Sequence, residues 1–473
     1  MKNLATNRSW LLPLLFLWVL SGCDDNFEAI NTDPNAFSEV PAHFFLPGSI
    51  LSMANAENDY FDGYLYPSSW IQHTALVSWD QPGNYFYEKG RSSLWNNLYR
   101  GPLVDLDLMI AQAEEEENQS LKAVGMILHA YGFSLLVNAF GDVPYSESFR
   151  VDEGINQPVY DGQSTIYEAI LAQLRQADAL LDGVTSIDID RDYDILYRGD
   201  GLKWRKFANS LRFRLLMHIS AITDVASELS GISPLFESSD DNAIYQYPGD
   251  IEGAIYSPAQ AIGPEATDQG HRMASPLVDR MTATNDPRLP LYALVSEDGG
   301  TYAGVQPGIY FVEDDVFSGI NPAGFSRDAT ITFMDYSELL FLQAEAAERG
   351  LITGDVTTFL SDAIGWNMTR RGVVSDAIID YVANILSDGT DLEEIYMEKW
   401  VSMFGRGMQA WTDYRRTGMP GLSPVPGGIV NVIPRRFSYP ENEQATNSVN
   451  MQAAAAKLSN GDNLDSQLIW TIH

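Results

Sequence analysis

Leu121, Val124, Leu128, Tyr131 and Leu135 recur at intervals of three and four residues. That spacing lays one apolar stripe along a helix, which Gly141 stops and Pro144 keeps from resuming. The same period marks Ile166, Ile170, Leu174, Ala177 and Leu181, then Ala208, Leu211, Leu215 and Ile219. It returns in Leu339, Leu342 and Ala346, ended by Gly350, and in Met397, Trp400, Val401 and Phe404, broken at Gly405. The pattern predicts helices over about 44–58, 93–119, 121–140, 164–182, 202–222, 333–349, 353–370, 376–386 and 391–404, with short ones near 408–416 and 450–458. Neighbours pair as 93–119 with 121–140, 164–182 with 202–222, 333–349 with 353–370, and 391–404 with 408–416. Stacked helix pairs define a mainly α, solenoid-like scaffold, although no strict repeat is visible.

Between Gly231 and Asp328 the texture changes to Gly, Pro, Asn and Asp without a long apolar stripe. This predicts a loop-rich insertion over about 231–331, carrying short strands at Ala243–Tyr247 and Gly308–Val312. The helical scaffold then occupies 93–222 and 332–416, while 145–163 and 418–450 read as loops.

The N-terminus follows another logic. Lys2 and Arg8 precede the uncharged run Trp10–Leu20, and Leu20-Ser21-Gly22-Cys23 closes it with the chain's only cysteine. A basic start, a short apolar core and small residues read as a secretion signal. Eleven residues of helix rise about 16 Å, half of the ~30 Å hydrocarbon core, so the run is too short to span a membrane. The ending resembles a bacterial lipobox, which predicts a signal peptide over 1–22, acylation of the Cys23 thiol with fatty chains such as palmitate, and a lipid-anchored tether over 23–42. A single domain over 43–473 follows. Asp24 and Asp25 behind the lipidation site resemble the surface-export signals of Bacteroidetes lipoproteins. The net charge of −35 repels phosphate backbones and anionic headgroups, so nucleic acid is a poor partner and attachment falls to the lipid. One cysteine allows no internal disulfide, and stability must come from packing.

Candidate chemistry is sparse. The six histidines form no metal-ligand spacing, and no nucleophile elbow, Walker loop or dinucleotide fingerprint is present. His129 and His218 fall inside helices and read as interior residues. Asp188, Asp190, Asp192 and Asp194 alternate in a loop as hard oxygen ligands for Ca²⁺ would, but Tyr193 and Gly199 stand where an EF-hand needs Gly and Glu. The adjoining cluster Lys203, Arg205, Lys206, Arg212 and Arg214 offers the competing reading, charge pairing that knits the scaffold. With 64 acidic residues, no carboxylate pair stands out for glycoside hydrolysis. No cofactor is implied. The strongest binding signal is the aromatic crowding between Tyr60 and Tyr99. Trp70, Trp79, Tyr85 and Tyr87 lie near Pro67, Pro82 and Gly83, and exposed rings there would stack on sugar faces or take peptide side chains. The alternative is a packed aromatic corner, to which Trp95 and Tyr99, at helical spacing, are assigned.

Several segments together resemble one family. They are Phe140-Gly141-Asp142-Val143-Pro144-Tyr145-Ser146-Glu147, the run from Asp194 through Asp200 with Lys203-Trp204 and Lys206 to Leu211, Asp286-Pro287-Arg288-Leu289-Pro290, Leu340 to Ala346, Trp411 to Gly418, and Pro434 to Pro440. In this order, behind a lipobox, they resemble the SusD/RagB-type outer-membrane nutrient-binding lipoproteins of Bacteroidetes. The resemblance implies a mostly α body of four tetratricopeptide-like helix pairs with a looped ligand face. It implies a non-enzymatic, surface-exposed protein that acts as a lid on a SusC-like TonB-dependent transporter and delivers oligosaccharides, in some cases peptides. It further implies that Gly141 and Pro144 shape a turn and that Arg415 and Arg416 pair with acidic neighbours. No motif carries over a ligand residue. A lipid-anchored glycoside hydrolase and a structural or adhesive surface protein are the competing functions.

Overall fold

Acidic and amide side chains start the long helices. Asn118, Asp200, Asp335, Asp355 and Asp391 each accept a backbone N–H two or three positions into the helix that follows, satisfying donors that a helix start leaves unpaired. The structure is a computed structural model and describes residues 40–78, 83–249, 257–258, 270–310, 315–387 and 389–471. The signal and tether expected over 1–39, Cys23 included, lie outside the described residues. The helices of eight or more residues are α1 (Phe45–Glu57), α2 (Ser93–Arg100), α3 (Pro102–Glu115), α4 (Gln119–Phe140), α5 (Gln163–Leu180), α6 (Gly201–Ile219), α7 (Ser275–Ala283), α8 (Tyr336–Glu348), α9 (Val356–Arg370), α10 (Ser375–Ile385), α11 (Leu392–Ser402), α12 (Gly407–Thr417) and α13 (Ser448–Ala455).

The fold is mainly α, as the pattern predicts, and α3 packs on α4, α5 on α6 and α8 on α9. The structure departs from the pattern in four places. The helix expected over 93–119 is two, because Gly101 leaves helical geometry and Pro102 opens the next. The scaffold does not resume as helix at Thr332: Thr330–Met334 is strand β6, paired antiparallel with β4 (Ala243–Gln246). The insertion also holds α7, whose Leu277, Val278 and Met281 bury with Leu289, Tyr292 and Ile320 against Trp400, Val401 and Phe404. The stretch 308–310 is not strand, and 311–314 lies outside the described residues.

Two more antiparallel pairs are short: β1 (Thr74–Leu76) with β5 (His271–Met273), and β2 (Val143–Pro144) with β3 (Tyr160–Asp161). Gly141 ends α4 at φ +91°, a conformation glycine adopts without Cβ strain. The chain then enters β2, the turn expected there. By length and composition α4 could cross a membrane, but 94 % of its most apolar window is buried inside the protein, the mark of a core helix.

The basic cluster of α6 ties the scaffold together. Arg205 reaches Asp178 and Asp182, Lys206 reaches Glu237 and Asp241, Arg212 reaches Glu228, and Arg214 reaches Glu338. Arg416 pairs with Glu345 and Asp413. Arg415 meets no acid among the described residues. It donates to the carbonyls of Asn138 and Arg435, and its guanidinium lies 3.5 Å from the Trp411 ring centroid. A planar cation that stacks on indole and bonds carbonyls can be buried without a counter-ion beside it.

Candidate functional site: an aromatic and amide pocket

Of the four aromatic residues singled out in the sequence, the three among the described residues, Trp70, Tyr85 and Tyr87, are buried. Trp70 is fully buried on a short helix, Tyr66–Trp70, in which Pro67 occupies the first turn instead of breaking the chain. Its indole packs edge-on against Trp411 at 5.1 Å and Phe437 at 5.3 Å. Tyr87 stacks on Phe437 at 4.6 Å with ring planes 5° apart. Tyr85 is 1 % exposed and its hydroxyl accepts the Val425 N–H at 2.9 Å. Trp79 lies outside the described residues. The partners Trp411, Val425 and Phe437 come from more than three hundred residues later in the chain, so the local loop pattern gave no warning of burial. The packed-corner alternative describes these three rings.

The aspartates 188, 190, 192 and 194 do not converge either. Asp190 caps a turn through Asp192 N, Asp192 pairs with Arg198, and Asp194 turns inward. Both Asp194 oxygens are used, by the N–H groups of Leu196, Tyr197 and Gly199 and by the Trp204 indole at 2.8 Å. Among the described residues no three His, Cys, Asp or Glu side chains group as metal ligands. Trp95 is buried as expected, at 4 % exposure, but one side of it faces a cavity.

That cavity, about 300 Å³, has three walls. One face of α2 supplies Trp95, Asn96, Tyr99 and Arg100, the end of β2 and the loop after it supply Pro144, Ser148 and Phe149, and the segment 442–447 supplies Asn442, Glu443 and Asn447. Trp95 is braced by Phe140 at 5.1 Å, Tyr160 at 6.0 Å and Tyr439 at 6.2 Å. Tyr99 is fixed by donating to the Pro144 carbonyl at 2.5 Å. Glu443 accepts from Tyr160 at 2.6 Å, and Asn442 donates to Asn96 at 3.4 Å. Phe149 holds φ at +63° beside the Tyr99 ring at 6.0 Å. A bulky residue in the left-handed region is an outlier that its surroundings must enforce. Burial, with Glu443 nearby, pushes the Tyr99 hydroxyl far above its ordinary range, so it stays protonated.

Aromatic faces at the back, amides and an exposed guanidinium at the rim, and one carboxylate make a pocket that fits a polar ring with apolar faces. Sequence reasoning missed Phe149, Asn442 and Asn447 because both contributing stretches read as loop. The signal that existed was the helical spacing of Trp95 and Tyr99, which marks one face of α2.

Fold and pocket define a helix-pair scaffold in which one helix face and the connecting segments enclose a cavity. The chain belongs to the SusD-like family described as "Starch-binding associating with outer membrane", which it matches over residues 34–440. Solved structures share the fold. One described as a chitin-binding protein is 24 % identical, with a TM-score of 0.80 over 91 % of this chain and 100 % of that one. A SusD homolog from Bacteroides fragilis NCTC 9343 is 24 % identical, with a TM-score of 0.77 over 91 % and 99 %. A chitin-binding SusD homolog from Flavobacterium johnsoniae is 23 % identical, with a TM-score of 0.75 over 90 % and 98 %. No curated protein matches the sequence.

Proposed function

We propose that this protein is a surface-exposed outer-membrane lipoprotein that captures an oligosaccharide without cleaving it and passes it to a SusC-like TonB-dependent transporter. Family membership over residues 34–440 is the observation that carries this reading. The lipobox at Cys23 supports the anchor, with residues 1–22 removed, 23–42 as tether and 43–473 as the binding domain. The aromatic and amide pocket supports a saccharide ligand, and chitin-type oligosaccharides are the first class to try, since two structures of this fold are described as chitin-binding. Glu443 is the one carboxylate among the pocket's lining residues, whereas glycoside hydrolysis works with two, about 5–9.5 Å apart. That supports binding over turnover.

The test has two arms. Under mild detergent the protein should copurify from outer membranes with a barrel partner, and the soluble chain from residue 24 should bind neutral oligosaccharides with an affinity that Trp95→Ala lowers at least tenfold. Isolation without any barrel removes the transport role. Measured cleavage of a bound saccharide favours the hydrolase alternative, and absence of any glycan affinity favours the adhesive one.

A further inference from the structure

A second concave site lies where α11 turns into α12. Gly405, at φ +86°, lets Phe404–Met408 make that turn. The end of α1, the insertion near Asn321 and the end of α9 close around it to leave a cleft of about 490 Å³. Its lining holds three guanidinium groups, Arg370, Arg371 and Arg406, in a chain whose net charge is −35.

Two of the three are committed. Arg406 pairs with Glu338 at 2.6 Å, and Arg370 with Asp335 at 2.7 Å. Arg371 is different. It spends Nη2 on the Phe404 carbonyl at 2.6 Å, stands 5.1 Å from the Tyr292 ring centroid, and faces no carboxylate within ion-pair distance among the described residues. Beside it the buried Nε of Arg406 has no acceptor among the described residues. The first turn of α12 carries neither a capping side chain nor an acid of its own. Two acids line the cleft, Glu57 and Asp328. Glu57, at its floor, is raised to about 7 by burial, even though Tyr131 donates to it and Arg406 and Arg214 stand near. Asp328 sits at the exposed rim. The rings of Phe325 and Phe404, 6.1 Å apart, add apolar wall.

We propose that this cleft binds a saccharide unit bearing a carboxylate, a uronic acid ring, with Arg371 as the recognising cation. A planar guanidinium with free donors matches a carboxylate in two-point geometry. Phe325 and Phe404 form apolar wall, and the amides of Asn58 and Asn321, which donate to Ser257 and to the Pro290 carbonyl, each keep a second N–H for a sugar hydroxyl. The inference rests on the glycan-binding reading above but concerns a different cavity and a different ligand charge.

The test is calorimetric titration of the chain from residue 24 with trigalacturonate, with its carboxyl-reduced trisaccharide and with a neutral chitotriose. Trigalacturonate should bind at least tenfold tighter than its reduced form. Arg371→Gln should abolish that preference and leave chitotriose affinity unchanged. Arg371→Lys should restore part of it, and Trp95→Ala should leave it intact. Melting curves of each variant check folding, and the reduced form measured on the same variant provides the internal reference. Equal binding of charged and reduced trisaccharides, or a preference that survives Arg371→Gln, overturns the proposal. If chitotriose binds while trigalacturonate does not, only this inference falls. If no saccharide binds at all, both readings fall together.

Discussion

Arg214 of α6 and Glu338 of α8 meet in a two-point ion pair, Nε to Oε1 at 2.5 Å and Nη2 to Oε2 at 2.7 Å, with side chains 3 % and 0 % exposed. Arg214 also donates to the Phe333 carbonyl at 2.8 Å, and Glu338 also receives Arg406. This is where the scaffold preceding the insertion joins the scaffold following it. Removing one partner strands buried charge, which costs about 3–5 kcal/mol. Glu338→Gln should therefore lower unfolding free energy by about that amount in urea titrations, since it leaves both Arg214 and Arg406 short of a counter-charge. A loss below about 1 kcal/mol, the scale of an exposed pair, would mean the join is carried by apolar packing alone.

Trp70 and Trp400 are structural aromatics, whereas Trp95, buried as deeply as Trp400, has one side on the cavity. Trp70 touches Trp411 and Phe437 in the main core, and Trp400 lies against the insertion's own core with its indole N–H on the Ile71 carbonyl at 3.2 Å. Trp70→Ala and Trp400→Ala should each cost about 3–5 kcal/mol as core truncations. Asn442→Ala, at the pocket rim, should change stability by no more than about 0.5 kcal/mol and weaken glycan binding instead. A Trp70→Ala protein that melts normally but loses ligand would reverse this assignment.

The sequence revealed the scaffold far better than the pocket, for a physical reason. Helix stripes such as Leu121 to Leu135 and Ile166 to Leu181 are local patterns, and they end within a few residues of where the helices end. The break at Gly101-Pro102 was legible as well, but a continuing apolar period on both sides masked it. Long-range partners leave no local trace. Trp70, Tyr85 and Tyr87 look exposed in their own neighbourhood and are covered by residues 411–437. The insertion's core likewise needs Trp400 and Phe404 to close it, so α7 alone showed no convincing stripe. The pocket joins one face of α2 to residues near Ser148 and Asn442 that lie far from it in the chain, and no local pattern links them.

Asp194 offers a direct check on the calcium reading. Its carboxylate takes three backbone N–H groups and the Trp204 indole. Asp194→Ala would leave buried donors unsatisfied, at a cost on the order of 3 kcal/mol. Neither millimolar Ca²⁺ nor EDTA should move the melting temperature of the wild-type chain, because Asp190 and Asp192 point to other partners. A calcium-dependent rise would show that the loop rearranges to bind it.

Glu57 gives the protein a pH signature. Burial raises its carboxyl from 4.5 to about 7, against the opposing pull of the Tyr131 hydroxyl, which donates to it at 2.5 Å, and of Arg406 and Arg214. A carboxyl with a raised native pKa binds its proton more tightly folded than unfolded. Its contribution is therefore whole below pH 4.5 and is lost as pH climbs through about 7, the reverse of a salt-bridged acid. That rise corresponds to roughly 3 kcal/mol between those limits. Other buried groups titrate over the same range, so the clean readout is a difference. Glu57→Gln keeps the shape and an acceptor for Tyr131 but has no charge to desolvate. Relative to wild type, the variant should be neutral or slightly destabilised at pH 5 and stabilised at pH 8, with the gap opening between them. A stability difference that stays constant from pH 5 to pH 8 would show that Glu57 is ionised throughout, and that the arginines around it outweigh its burial.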